Sequence, residues 1–145
     1  MRLPNPAPHP DTGLLVLRLG LAGILLFHGI FKATHGVAWM SGPLSAHGLP
    51  FALAYGVYVA ELVAPVLLVL GLWPRLAALI IAFDMVMAIY LARSGDVTKI
   101  NPMSGGWAIE IEALLLVAAL TIAIAGGGQY GLSRNDPRSR SRGRY

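Results

Sequence analysis

Seven side chains that carry charge or titrate lie within otherwise apolar stretches, where they could pair, transfer protons or recognise a polar headgroup. They are Arg18, His28, Lys32, Glu61, Asp84, Glu110 and Glu112. An unpaired charge at the centre of a bilayer costs from about 2.5 to more than about 10 kcal/mol. These groups are therefore expected to face the protein interior, to pair with one another, or to be neutral.

The charges in this set do not balance. Two permanent cations, Arg18 and Lys32, face four acids, and a protonated His28 would still leave one acid without a counter-charge. At least one acid is then expected to be protonated, to reach the outer interface, or to pair with an external group. Arg18 and Asp84 are expected to lie at similar depths in the membrane, and we therefore predict that they form an ion pair. His28 and Lys32 are one helical turn apart, so one inward stripe can hold them together with Arg18.

Glu61 is the strongest indication of a polar cavity. It lies near the middle of its apolar segment and Pro65 follows it by four residues. Proline has no N–H group to donate to the carbonyl of residue i−4. The carbonyl of Glu61 should thus be free at the level of its own carboxylate, which is tolerated in a membrane only where protein groups or water satisfy it.

These residues allow more than one interpretation. Buried ion pairs can hold a small bundle in register without chemistry, or the same groups can form a polar pocket in the outer half of the bundle. A metal site is disfavoured because His28 and His35 lie two turns, about 10 Å, apart. The chain has no Ser–His–Asp arrangement, P-loop or dinucleotide fingerprint, so no catalytic residue is assigned.

Composition indicates a membrane protein. The 145 residues are 56% hydrophobic and 12% charged, whereas soluble domains are about 25% charged. The absence of cysteine excludes disulfides and thiol relays within this chain. The net charge of +4 reflects an arginine-rich end, Arg134–Arg144, which is typical of a topology signal rather than of a nucleic-acid partner.

Four apolar segments, at 13–33, 51–73, 75–93 and 107–125, are each long enough to cross the bilayer. They predict an all-α, integral membrane, antiparallel four-helix bundle. The predicted organisation is a disordered, non-helical lead at 1–12, a membrane domain at 13–132 and a basic tail at 133–145. A short interfacial helix is predicted around 37–40. Positive residues favour cytoplasmic termini in a bacterial inner membrane.

Small residues spaced by four predict close helix packing in the bundle, because they allow the backbones to approach. They recur on the second, third and fourth segments as Gly56, Ala60 and Ala64, then Ala78 and Ala82, then Ala119 and Ala123.

The stretch RLGLAGILLFHGIFK, a loop ending in HGLP, and AELVAPVLLVLGLWPRLAALIIAFDMVMAI together resemble the DoxX-like family of small four-span membrane proteins. The resemblance covers about 14–132. It implies the four-helix fold, and it implies that Arg18, His28, Lys32 and Glu61 occupy the family's polar positions. The family is named for a relative of the membrane subunit of a thiosulfate:quinone oxidoreductase, and other relatives are associated with methylamine utilisation or thiol stress.

Two functions are consistent with these observations. The first is an accessory subunit of a membrane redox system, quinone-linked or thiol/thiosulfate-linked, with a quinone as the candidate cofactor and other redox subunits as partners. The second is a non-enzymatic scaffold, assembly factor or small carrier whose ion pairs are structural. A homo-oligomer is compatible with either function.

Overall fold

The computed structural model describes residues 10–132, so the predictions for 1–9 and for the basic tail lie outside it. The described chain is helical, as predicted, and its strand-like pairing is limited to an isolated bridge between Ile100 and Trp107. The five main helices, labelled α1 to α5, are Pro10–His35, Ser41–Ala46, Phe51–Leu70, Pro74–Ala92 and Glu110–Ala125. Short 3-10 turns occur at Ala38–Met40 and Ser94–Asp96.

The first helix begins earlier than the sequence analysis predicted. Residues 10–12 belong to α1, so the prediction that the lead is non-helical was wrong for its last three residues. Proline is compatible with the first turn of a helix, because the N–H group that it lacks would have no partner there. Asp11 then places a carboxylate in the first turn, where the helix dipole favours a negative charge.

Three of the helices are long and apolar enough to cross a membrane. They are α1, α3 and α4, with mean hydropathy of 2.1, 2.1 and 2.0. The fourth predicted segment forms α5, which has 16 residues and therefore extends about 24 Å at about 1.5 Å per residue. The described chain is thus a helical membrane protein with three span-length helices and a shorter fourth helix packed against them.

Small side chains allow the helices to approach closely. Ala64, Ala78 and Ala119 are fully buried, and Ala60 and Ala82 nearly so. Most of the predicted small-residue ladder therefore lies at helix contacts; its two exceptions are Gly56, which is exposed, and Ala123, which is half-buried. Helix α5 packs along α4, while α1 packs against α3 and α5.

A second, smaller core closes one end of the bundle, which we call the α2 end because it carries α2 and the 93–109 loop. It is formed by Val37, Leu44, Ala54 and Val57. The predicted short helix near 37–40 is present as the 3-10 turn that leads into α2. The opposite end, which we call the hairpin end, carries the turn at 71–73 and the 126–132 segment.

Candidate functional site

A buried ion pair joins α1 to α3. The Nζ atom of Lys32 donates a hydrogen bond to Oε1 of Glu61 at 2.5 Å, and the two side chains are 17% and 5% exposed. The other carboxylate oxygen, Oε2 of Glu61, is buried and accepts no hydrogen bond from the described residues. Buried polar atoms nearly always have a partner, so this carboxylate is only half satisfied.

Two aromatic residues lie near Lys32. The hydroxyl of Tyr58 donates to the backbone carbonyl of Lys32 at 3.2 Å. The ring centroid of Trp39 lies 6.0 Å from Nζ of Lys32, at the outer limit of a cation–π interaction. Lys32 lies in the last turn of α1, so these contacts fix the end of that helix next to Glu61.

Glu61 lies within an irregular turn of α3. Residues Val59–Val63 form a π-helical turn, in which the N–H group of Ala64 donates to the carbonyl of Val59. Pro65 follows in the first turn of the α-helical part, Ala64–Leu70, and cannot donate to Glu61. The predicted irregularity is therefore present, and π-turns of this kind are frequent at functional sites.

The backbone of Glu61 packs directly against a glycine of α1. A Cβ atom placed on Gly29 would lie 2.5 Å from the carbonyl oxygen of Glu61 and 2.8 Å from its carbonyl carbon. Any side chain at position 29 would thus occupy the space of the π-turn. The glycine allows α1 and α3 to approach closely enough for Lys32 to reach the carboxylate.

Asp84 does not pair with Arg18, which corrects the predicted pairing. It is half-buried on α4, the helix that packs against the Val59–Val63 turn. The ion pairs formed within residues 10–132 do not include Asp84.

Arg18 binds backbone carbonyls instead of an acid. Its side chain is 1% exposed. Nε donates to Leu68 at 3.0 Å, Nη1 donates to Gly127 at 2.5 Å, and Nη2 lies 3.4 Å from the carbonyl of Val69. Leu68 and Val69 belong to the last turn of α3, where carbonyls lack helical partners and the dipole favours a cation. The helix end therefore satisfies the guanidinium.

Glycines make room for this guanidinium at the hairpin end. A Cβ atom placed on Gly71 would lie 2.9 Å from Nη2 of Arg18, and one placed on Gly127 would lie 3.2 Å from Nη1. Gly71 also has φ +67°, a conformation that glycine adopts without steric cost. Neither glycine nor the carbonyl partners had been singled out from the sequence as part of a site.

The other predicted candidates lie apart from the buried pair. His28 is exposed on α1 and Glu110 is exposed at the start of α5. Glu112 is half-buried, with Oε1 3.7 Å from Nε of Arg93. Arg93 also lies near Asp96, at 3.4 Å, and donates to the carbonyl of Ala108. The structure thus brings two of the seven candidates, Lys32 and Glu61, into contact.

The Arg93–Glu112 contact is expected to contribute little to stability. Both side chains are more than a fifth exposed, and exposed ion pairs contribute about 0–1 kcal/mol. Replacing Glu112 with glutamine should therefore change the melting temperature in detergent by no more than about 4 °C. A thermal melt followed by size-exclusion chromatography measures this, and a large drop would show that the 93–109 loop stabilises the whole bundle.

Comparison with known proteins places this helical membrane protein in a family. The family model of DoxX matches residues 13–94, which is more than half of the chain, and the chain belongs to the DoxX family. An uncharacterised protein of Haemophilus influenzae is 32% identical over 120 residues, covering 82% of this chain and 87% of that protein. CatD of Bacillus subtilis, named as a candidate oxidoreductase, is 29% identical over 119 residues, covering 80% and 81%. No solved structure gives a significant match.

Proposed function

We propose that this chain is an accessory subunit of a membrane redox system and that its Lys32–Glu61 site binds the headgroup of a quinone-like molecule. The observation that carries the proposal is the buried Oε2 atom of Glu61, which has no hydrogen-bond partner among the described residues. It lies on a carboxylate that is already held by an ammonium group at 2.5 Å. Such an arrangement has an acceptor and donors available for one small polar ligand.

The ligand class follows from these donors and acceptors. An ammonium group has three N–H donors, and the bond to Glu61 uses one of them. A quinone carbonyl could accept a hydrogen bond from Lys32, and a quinol hydroxyl could donate to Oε2 of Glu61. Trp39 and Tyr58, which contact Lys32, provide aromatic surface beside a planar ring. The redox assignment is supported by the name of the CatD relative.

Electron transfer would depend on a partner in this proposal. The chain contains no cysteine, so a thiol- or thiosulfate-linked reaction would need reactive groups from another subunit. Native mass spectrometry of the protein extracted gently from its own membrane tests this dependence. A co-purifying second polypeptide, or an added mass equal to a quinone, is expected; a bare chain carrying only ordinary lipids would contradict the accessory role.

The proposed topology is a four-helix domain in the bacterial inner membrane with both termini in the cytoplasm. Helix α5 would be the fourth span, supported by its packing along α4 and by its buried residues Leu115, Ala119 and Ile122. Glu110 and Glu112 would then lie at the outer interface, at the α2 end. Arg75, in the hairpin end, supports cytoplasmic placement of that end by the positive-inside rule.

A second candidate function is a non-enzymatic scaffold, assembly factor or small carrier. The observation in its favour is Arg18, whose hydrogen bonds all go to backbone carbonyls and whose role is thus structural. If the Lys32–Glu61 pair were also purely structural, exchanging the two residues, as K32E with E61K, would restore the melting temperature lost in either single variant. The site would then bind no ligand, and neither single variant would lose a ligand-binding activity.

Quinone binding should depend on both members of the buried pair. In nanodiscs, a short-chain ubiquinone analogue is expected to quench tryptophan fluorescence, because Trp39 lies beside Lys32. Glu61→Gln and Lys32→Gln should each weaken binding by about 10-fold to 100-fold, since a hydrogen bond to a charged group contributes about 1.5–3 kcal/mol.

Glu112→Gln is the matched control, because this carboxylate also lies at the α2 end but pairs with Arg93. It should bind the analogue as the unmodified protein does. Absence of binding to the unmodified protein, or equal affinity in Glu61→Gln, would refute the quinone site. Equal weakening in Glu112→Gln would show that quenching reports partition into the lipid rather than binding at the site.

A further inference from the structure

The 126–132 segment crosses the hairpin end of the bundle and is hydrogen-bonded to α1. The carbonyl of Gly127 accepts a hydrogen bond from Nη1 of Arg18 at 2.5 Å. The N–H group of Gln129 donates to Oδ1 of Asp11 at 3.2 Å. Gly127 is buried, whereas Gln129 is exposed. The segment therefore contacts the buried guanidinium on one side and faces the exterior on the other.

The last described residues leave the bundle at the same end. The N–H group of Leu132 donates to the carbonyl of Leu70 at 3.2 Å, and the side chain of Leu132 is 69% exposed. The sequence continues from there into 133–145, which contains five arginines and one acid, Asp136. A strongly basic segment is therefore attached to the hairpin end.

The two ends of the bundle differ in how their exposed cations are neutralised. At the α2 end, Nζ of Lys99 lies 3.1 Å from Oδ1 of Asp96. Arg93 lies near both Asp96 and Glu112. At the hairpin end, Arg75 is exposed, and the ion pairs formed among the described residues do not include it. Positive charge is therefore in excess at the hairpin end.

Two exposed aromatic residues indicate where this end lies relative to the bilayer. Trp73 directly precedes α4 and is 64% exposed, and Tyr130 in the 126–132 segment is 54% exposed. Tryptophan and tyrosine are enriched at the membrane–water interface, at the level of the headgroups. At that depth, the phosphate groups of anionic lipids are the nearest external anions.

We propose that the hairpin end binds anionic phospholipids through Arg75 and the arginines of 133–145, and that this binding stabilises the 126–132 segment over Arg18. Clusters of basic residues next to a membrane span are attracted to anionic headgroups. The inference is independent of the proposed quinone site, which lies at the α2 end.

Lipid binding is coupled to the bundle through the chain itself. The basic segment follows Leu132 directly, so arginines held at the headgroups restrict the positions open to 126–132. The hydrogen bonds of Gln129 and Leu132 should then open less often, and the carbonyl of Gly127 should stay on Arg18. A ligand that binds only the closed arrangement stabilises it by mass action.

Hydrogen–deuterium exchange of the unmodified protein in nanodiscs tests this coupling without a substitution. Exchange in a peptide covering 126–132 should be about 3-fold to 10-fold slower in phosphatidylglycerol than in phosphatidylcholine. The 93–109 loop is the internal control, because its cations pair with acids, and its exchange should be the same in both lipids. Equal exchange of 126–132 in the two lipids, or equal slowing of both peptides, would overturn the proposal.

Two charge variants test whether the arginines carry the effect. Both replace the same five residues, Arg134, Arg138, Arg140, Arg142 and Arg144. Replacement with glutamine should abolish most of the difference between the lipids, whereas replacement with lysine should keep it, because lysine retains the positive charge. A full lipid response in the glutamine variant, or its loss in the lysine variant, would overturn the electrostatic basis of the proposal.

Native mass spectrometry measures lipid binding directly. Phosphatidylglycerol should remain bound to the unmodified protein at collision energies that remove phosphatidylcholine, and the glutamine variant should lose this retention. Lys99→Gln is the matched control, because this exposed cation lies at the α2 end, and it should retain the lipid. Loss of retention in Lys99→Gln, or slower exchange of 126–132 when inorganic phosphate is added to phosphatidylcholine nanodiscs, would contradict a lipid site at the hairpin end.

Discussion

Replacement of Arg18 with lysine is expected to destabilise the protein by about 2–4 kcal/mol, although it keeps the charge. The guanidinium donates to Leu68 at 3.0 Å and to Gly127 at 2.5 Å, and hydrogen bonds of charged groups contribute about 1.5–3 kcal/mol each. A lysine ammonium lacks the planar fork that reaches carbonyls on two separate segments. It would therefore satisfy fewer of these carbonyls and leave the others buried without a donor.

Thermal unfolding in detergent, followed by size-exclusion chromatography, measures this effect. Arg18→Met should lower the melting temperature at least as much as Arg18→Lys. Arg75→Lys is the matched control, because Arg75 is an exposed arginine at the same end of the bundle, and its melting temperature should not change. Full retention of stability in Arg18→Lys would show that only the charge matters and that the carbonyl contacts are dispensable.

The two ends of α1 hold cations in different ways, and this difference separates structure from function. At the hairpin end, Arg18 is bonded to carbonyls from α3 and from the segment after α5. At the α2 end, Lys32 binds a carboxylate whose second oxygen has no partner in the described chain. In the first arrangement, the guanidinium is already hydrogen-bonded to backbone carbonyls. The second retains hydrogen-bonding capacity for a ligand, which is why the proposed function is placed there.

The positions of the helices could be predicted from the sequence, because long apolar segments separated by glycine- and proline-rich loops leave few alternatives. The irregularity at Glu61 was also predictable, since Pro65 removes a specific donor. The start of α1 at Pro10 was not predicted, because proline was treated as a helix breaker. Proline is nevertheless compatible with the first turn of a helix.

The partners of the charged residues could be predicted only in part. The similar depth of the two residues in the membrane suggested that Asp84 pairs with Arg18. Counting charged side chains ignored the backbone carbonyls at the end of α3, which accept hydrogen bonds from Arg18 and which no side chain in the sequence indicates. His28 shares a helix side with Lys32 but is exposed, because it lies at the edge of the inward stripe. Periodicity gives the direction of a side chain and does not give the position of the neighbouring helix.

The role of Gly29 also required the three-dimensional arrangement. From the sequence it is one of four glycines within 13–29, and each of them is compatible with a membrane helix. Its neighbours Gly20 and Gly23 have open space where a side chain would be, whereas Gly29 contacts the backbone of Glu61. This difference provides a substitution experiment within a single helix.

Gly29→Ala is expected to destabilise the protein by about 1–3 kcal/mol, the usual cost of overpacking, and to disrupt the candidate site. The new methyl group would lie 2.5 Å from the carbonyl oxygen of Glu61 and 2.8 Å from Cδ2 of Leu62. The leucine side chain can move, but the backbone carbonyl belongs to the π-turn and cannot move without displacing Glu61. Separation of α1 from α3 would lengthen the 2.5 Å contact between Lys32 and Glu61.

The melting temperature and the affinity for the quinone analogue should therefore both fall in Gly29→Ala. Gly20→Ala and Gly23→Ala make the same chemical change on the same helix, where no atom lies within 4 Å of the new methyl group. These controls should keep both properties, since alanine favours a helix over glycine by about 1 kcal/mol. If Gly29→Ala kept both the melting temperature and the affinity of the controls, α1 and α3 would be able to separate without loss of stability. The close packing of the two helices would then not be what positions Lys32. A drop in affinity at unchanged melting temperature would instead mean that the π-turn shifts locally and that its register controls ligand binding.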